Sequence, residues 1–483
     1  MNTLVQRTAN AAKWSALDVF MRQGVQFAVS IVLARILTPE DFGVVAMLAL
    51  FMAVGTVFID GGLSSALIQR QNITHTDEST AFFTNLGMGA VSGMLLCIAA
   101  PWISSFLRQP VLQYLSYAMA FGLFVGAFGS IHTALLYKEM NFKLTAKVGV
   151  VSSVVGGALA IYMASQGYGV WSLVAHTVTS GLVNVLLLWI WHPWRPAWRF
   201  SVASLRSLFR FGGYEMASTL LDAFANNLYS ILIGKMHSVR DVGLFNRARN
   251  TQLMPVMLMM SIAQRVAYSA FSSVAGDKAR LVRGLRQAQA IAMFIYIPVM
   301  VCVIVLAEPL VLTLFGEQWV PCVPMLQVLG FGGILWPLHI LNLNVLKAQG
   351  YSDLKFRIEV IKKIMAISLT IVASYYGVMA IAWTQVVLSI CGYFVNTHYT
   401  NVLLAYSGLD QLRDLATNFV AVIPMAVAVY LMTELMQTLP IIELIVAGAV
   451  GCGVYLLTCR VLCAELLQES LCVAGILTRP VQT

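Results

Sequence analysis

Two sets of polar residues recur at helical spacing within stretches that are otherwise apolar. Ser15, Asp18, Arg22 and Gln26 fall three and four residues apart, and so do Glu215, Ser218, Asp222 and Asn226. That spacing places each set on one face of a helix. The sets occupy the same positions after a shift of 200 residues. Ionisable groups within a membrane face a cavity or a partner rather than lipid, so the paired stripes predict a hydrated cavity. Two readings of Arg22 stand side by side. It contacts an anionic substrate, or gates by pairing with Asp222 across the cavity; or it simply neutralises Asp18, one helical turn away.

Further charges fall in apolar stretches. The segment GLFNRARNTQ brings Arg247 and Arg249 near the start of another predicted helix. They either line the cavity as an anion site or snorkel to lipid headgroups. Asp60 has no oppositely charged neighbour in its own stretch; it carries a proton or Na⁺, or pairs with a base elsewhere. His132 is a proton relay or a satisfied interior histidine. Arginine is permanently charged and grips phosphate bidentately. The substrate-binding candidates are therefore Arg22, Gln26, Arg247, Arg249 and Asn226. Candidates for gating or ion coupling are Asp18, Asp60, Glu215 and Asp222. Walker, HExxH, GxSxG and CxxC patterns are absent, and the eight cysteines have no metal-ligand spacing. The expectation is a non-enzyme without cofactor or metal.

The elements that must carry these residues are transmembrane helices. Hydrophobic residues make up 59% of the 483 and charged ones 11%, with mean hydropathy +0.80; soluble domains carry about 25% charged residues. Crossing the hydrocarbon takes about 20 apolar residues. Such stretches number about fourteen here. They begin with 12–37, 42–67 and 79–105, include 207–234, 241–270, 321–346 and 358–377, and end with 440–463. The formal net charge of +9 reflects topology rather than nucleic-acid binding. With the N-terminus in the cytoplasm, that side receives Arg70, Lys138, Lys143, Arg195, Arg199, Lys278, Arg280, Lys355, Arg357, Lys362 and Lys363, among others. The opposite side receives Arg35, Arg108, Lys235 and Arg240. Both termini are expected in the cytoplasm. The first residues lack the apolar core and cleavage site of a signal peptide, so the first span is expected to be retained.

The 200-residue shift also aligns SIVLARILTPEDFGV from Ser30 with SILIGKMHSVRDVGL from Ser230, without gaps. Ser30, Ile31, Asp41 and Gly43 meet identical residues, and the Asp-x-Gly follows the same span each time. This predicts a duplication: six-helix bundles over 1–195 and 207–402, a basic linker over 196–206, and two added helices with a tail over 403–483. Parallel repeats of this kind hold a transporter's substrate between them near mid-membrane.

The segments AKWSALDVFMRQGVQFAVSIVLARILTPEDFGVVAML, GGLSSALIQRQNITHTDESTAFFTNLGMG and LFGEQWVPCVPMLQVLGFGGIL resemble polysaccharide repeat-unit flippases. These belong to the multidrug/oligosaccharidyl-lipid/polysaccharide exporter superfamily, and the likeness is to the colanic acid or lipopolysaccharide exporter type. The resemblance implies an all-α polytopic fold in the bacterial inner membrane. It implies alternating access, driven by a proton or Na⁺ gradient. The cargo would be an undecaprenyl-diphosphate-linked oligosaccharide moved to the periplasmic leaflet for exopolysaccharide or lipopolysaccharide synthesis. Membrane lipids and polysaccharide assembly proteins would be its partners. Arginine in the first helix recurs among such flippases, and Arg22 lies there. Alternatives are a multidrug/cation antiporter, a peptidoglycan lipid-precursor flippase and, from another class, a membrane glycosyltransferase or polymerase.

Overall fold

The computed structural model describes residues 20–274, 276–436, 438–462 and 464. Ser15 and Asp18 lie outside the described residues. No strand occurs among the described residues. The chain divides into two compact units, one through Gly243 and one from Leu244.

The first unit holds α1 (20–36), α2 (Pro39–Asp60), α3 (Leu63–Gln69), α4 (His75–Leu107), α5 (Val111–Lys138), α6 (Phe142–Ser165), α7 (Val170–Trp191), α8 (Val202–Met236) and the start of α9 (Val239–Ser273). Helix starts are set by side-chain caps. Thr38 and Asp41 form a reciprocal capping box on α2, and Thr74 and Asp77 form one on α4. The expected single span over 42–67 is broken. Gly61 and Gly62 take positive φ, +53° and +71°, a conformation costly for side-chain-bearing residues. The backbone of Gly62 also meets that of Gly212 on α8, where a Cβ on either would collide. Asp60 is therefore the last residue of α2 rather than a mid-helix charge.

The segment between α7 and α8 straps the start of α4. Trp194 Nε1 donates to Glu78 Oε2 at 2.6 Å. The backbone N–H groups of Ala197 and Ser201 donate to Ser79 Oγ and Thr80 Oγ1. Leu67, Phe82, Ile131 and Leu208 join α3, α4, α5 and α8 in one core.

The second unit holds the rest of α9, α10 (Lys278–Val305), α11 (Ala307–Leu314), a 3₁₀ turn (Glu317–Cys322), α12 (Val323–Gly333), α13 (Trp336–Ala348), α14 (Ser352–Ser374), α15 (Val378–Leu404), α16 (Gly408–Asp414), α17 (Ala416–Leu435) and α18 (Pro440–Leu462). The expected span over 321–346 is likewise divided into the 3₁₀ turn, α12 and α13. Prolines sit in the first turns of α12 and α13, where their missing N–H costs nothing. The last two helices pack on α10: Met293, Ile297, Met425, Val429 and Ala447 share a core, and Tyr455 Oη donates to Phe294 O at 2.7 Å.

Among the described residues, ten helical segments are long and apolar enough to cross a membrane, with Glu317–Ala348 counted as one. Exposed Met94, Ile98 and Trp102 repeat at four-residue spacing on α4, as a lipid-facing stripe does. Arg22 on α1, Glu215 and Asp222 on α8, and Arg247 and Arg249 on α9 lie on helices outside that set.

Candidate functional site

Arg22 is half-buried on α1. Its stem lies against α6, where a Cβ added at Gly149 would stand 2.9 Å from Arg22 Cδ. One turn on, Gln26 is exposed. On α8, Glu215 and Asn226 are exposed and Asp222 is half-buried. Among the described residues, both stripes thus keep accessible polar groups, which fits a water-filled space better than lipid. Asp60 precedes the Gly62–Gly212 crossing by two residues, and Glu215 follows it by three.

Arg247 and Arg249 separate. Arg247 is buried, 6% exposed, and its guanidinium stacks 4.6 Å from the Phe315 ring centroid and 4.7 Å from that of Trp319. Trp319 is fully buried. Burial excludes the snorkelling reading for Arg247 and ties α9 to the Phe-Gly-Glu-x-Trp segment. Arg249 is half-buried.

His132 is fully buried and packs among Trp189, His192 and Trp194. Its ring nitrogens make no hydrogen bond of regular geometry, and its polar neighbours are the backbone at Phe128 and Trp194.

The two turns that align after the 200-residue shift share the same cap. At the α1–α2 junction, Asp41 N donates to Thr38 Oγ1; at the α8–α9 junction, Asp241 N donates to Ser238 Oγ. These caps are 200 residues apart. The two helix starts also meet reciprocally. A Cβ on Gly43 would land on the carbonyl oxygen of Val239, and one on Gly243 would land on that of Pro39. Arg240 Nε lies 3.7 Å from Glu40 Oε1 over this contact.

Sequence reasoning missed a polar interior in the second unit. Lys362, grouped with the cytoplasmic loop cations, lies midway along α14 and pairs with Glu359 at 2.8 Å. His339 of α13 meets Asn396 and Ser389 of α15. Nearby, Asn342, Thr400, Gln411 and Gln289 form a buried amide and hydroxyl network. The three-residue spacing of Glu359 and Lys362 was the available signal. No group of three metal-ligating side chains occurs among the described residues.

This fold is shared with solved transporters. The structure matches "Lipid II flippase MurJ, inward closed conformation" with a TM-score of 0.77 and 14% identity, over 94% of this chain and 99% of that one. It matches an inward-facing multidrug resistance MATE family transporter of the MOP superfamily with a TM-score of 0.62 and 17% identity, over 79% and 95%. The class is an all-helical membrane protein with the fold of these transporters.

Residues 32–324 match the family described as "Polysaccharide biosynthesis protein", and the chain belongs to it. Among curated relatives, it is 23% identical to "Teichuronic acid biosynthesis protein TuaB" of Bacillus subtilis (strain 168), over 84% of each chain. It is 25% identical to "Lipopolysaccharide biosynthesis protein WzxC" of Escherichia coli (strain K12), over 81% of each. It is 29% identical to "Succinoglycan biosynthesis transport protein ExoT" of Rhizobium meliloti (strain 1021), over 67% of this chain and 66% of that one.

Proposed function

We propose that this chain is a flippase carrying undecaprenyl-diphosphate-linked oligosaccharide repeat units from the cytoplasmic to the periplasmic leaflet of a bacterial inner membrane. The observation that carries this reading is the family match over 32–324 on a transporter fold. The names of the relatives place them in the synthesis or transport of three different surface polysaccharides, which supports a sugar-bearing cargo.

In this reading all fourteen long helical segments span, as two six-helix repeats followed by α17 and α18, with both termini cytoplasmic. Arg22, Gln26 and Asn226 line the route of the diphosphate and sugar, and Arg249 serves as a further cation for the diphosphate. Arg247 braces α9 from its aromatic stack. Asp18, Asp60, Glu215 and Asp222 supply gating charges. Guanidinium suits the task because a diphosphate leaving water needs fixed, bidentate compensation. Assembly proteins would receive the flipped lipid.

The test is movement of a lipid-diphosphate oligosaccharide in sealed proteoliposomes, comparing wild type with Arg22→Ala. Movement by wild type and its loss in a folded variant is the expected result. Failure of wild type to move the native sugar lipid would overturn the reading.

A further inference from the structure

The second unit contains an ion pair and an imidazole placed together inside its bundle. Glu359 and Lys362 lie one turn apart on α14, with Oε1 and Nζ at 2.8 Å. Lys362 stands ten residues beyond the start of α14, about 15 Å along the axis. Opposite it is Gly392 of α15, where an added Cβ would be 3.4 Å from His339 Cε1 and 3.6 Å from Lys362 Cδ. The missing side chain lets the imidazole and the lysine stem share one space.

Hydrogen bonds define the state of this cluster. Asn396 Nδ2 donates to His339 Nδ1 at 2.9 Å, which leaves the ring proton on Nε2, 3.5 Å from Ser389 Oγ. Glutamate, lysine and neutral histidine sum to zero charge. The groups facing His339 are Lys362 and, through it, Glu359 from α14; the Tyr393 ring and Asn396 from α15; and, along its own helix, Asn342, tied to Gln289 of α10 through Gln411. Asn396 is fully buried, and its Oδ1 accepts no hydrogen bond. An orphaned buried acceptor beside a titratable ring is costly unless another state uses it.

We propose that His339, with Asn396 and the Glu359–Lys362 pair, is the proton-binding site that drives transport. The incoming proton bonds to the lone pair of Nδ1. The Asn396 amide turns over, so that Oδ1 accepts from Nδ1–H and its orphaned state ends. The cluster passes from zero charge to +1, and losing the same proton restores it. A buried net charge beside Lys362 is unfavourable, so the protonated cluster favours a conformation that admits water. A ligand with different affinity for two conformations shifts their populations. Glu359 and Lys362 keep 29% and 20% of their side-chain surface accessible, so the pair is not sealed by protein on every side. Na⁺ fits poorly, because the ammonium already occupies the carboxylate and a hard cation wants several oxygen ligands.

This inference rests on the flippase reading, and the test separates the two. Wild type, His339→Gln and Glu359→Gln are reconstituted with a lipid-diphosphate oligosaccharide and a lumenal pH dye, under an imposed proton or Na⁺ gradient. Folding is checked by thermal unfolding in detergent. The expected result is that a proton gradient accelerates wild-type lipid movement together with proton entry, a Na⁺ gradient does not, and both responses are lost in each folded variant. Acceleration by Na⁺ alone, or an intact proton response in either folded variant, overturns the inference while the flippase reading stands. Proton entry that depends on His339 without any lipid movement supports the site and overturns the cargo.

Discussion

At the scale of single residues, burial separates charges that the sequence treats alike. Arg247 and Arg249 are two positions apart, yet Arg247 is buried against Phe315 and Trp319 while Arg249 is half-buried. Stacking on two rings requires the flat guanidinium, and an ammonium does not reproduce it. Arg247→Lys should therefore lower stability by about 1–2 kcal/mol, read as an earlier thermal transition in detergent, whereas Arg249→Lys should leave that transition near wild type. A second residue-scale prediction concerns Asp410, at the exposed start of α16. The Ser407 hydroxyl and N–H donate to its carboxylate and hold its pKa below the usual aspartate range. A depressed carboxylate stabilises fully above its unfolded pKa and loses that contribution as pH falls through its folded one. Asp410→Asn should lower the melting temperature near neutrality and flatten its acid limb, with little change at the lowest pH, where the wild-type carboxyl is protonated.

At the scale of elements, the reciprocal contact between the starts of α2 and α9 leaves no room for a side chain. Overpacking a close contact costs about 1–3 kcal/mol, and here the obstacle is backbone, which cannot rotate away. Gly43→Ala and Gly243→Ala should each force the two helix starts apart. The check is oxidative cross-linking of Glu40→Cys with Arg240→Cys: efficient with both glycines present, and lost when either carries a methyl. Much of this was legible in sequence, since the Asp-x-Gly of both turns lines up after a shift of 200 residues. The break at Gly61–Gly62 was not legible as such, because an apolar run looks continuous whether its helix bends or stops. The cluster around His339 was hidden for another reason. Periodicity reveals a polar stripe on one helix, but His339, Lys362 and Asn396 come singly from three helices, and only packing brings them together.

At the scale of the whole molecule, the helical membrane class follows from composition, while the number of crossings depends in part on α8, α9 and α14, which are too polar for a hydropathy threshold. Among the described residues, ten helical segments pass on length and composition. Of the others, α8, α9 and α14 carry Glu215, Asp222, Arg249 and the Glu359–Lys362 pair, charges that the proposed transport uses, so function and detectability oppose each other in those helices. The fourteen-span arrangement makes a topological prediction. In a variant cleared of its eight native cysteines, single cysteines at Asn72, Asn141 or Arg199 should react with an impermeant thiol reagent only from the cytoplasmic side. Those at Gln109, Gln166 or Tyr376 should react only from the periplasmic side. Labelling of intact cells against inverted vesicles checks each position.

The glycine contact carries a historical meaning. Residue 43 meets 239, residue 243 meets 39, and the ion pair over them joins 40 to 240. When the same patch is used twice with its members exchanged, the contact has the form of an isologous interface, the kind formed by two identical chains about a twofold axis. That is the form that a seam between two copies of one chain would leave after the duplication expected from the sequence. In the present chain both glycine codons must be kept, because a side chain at either position would meet the backbone opposite it.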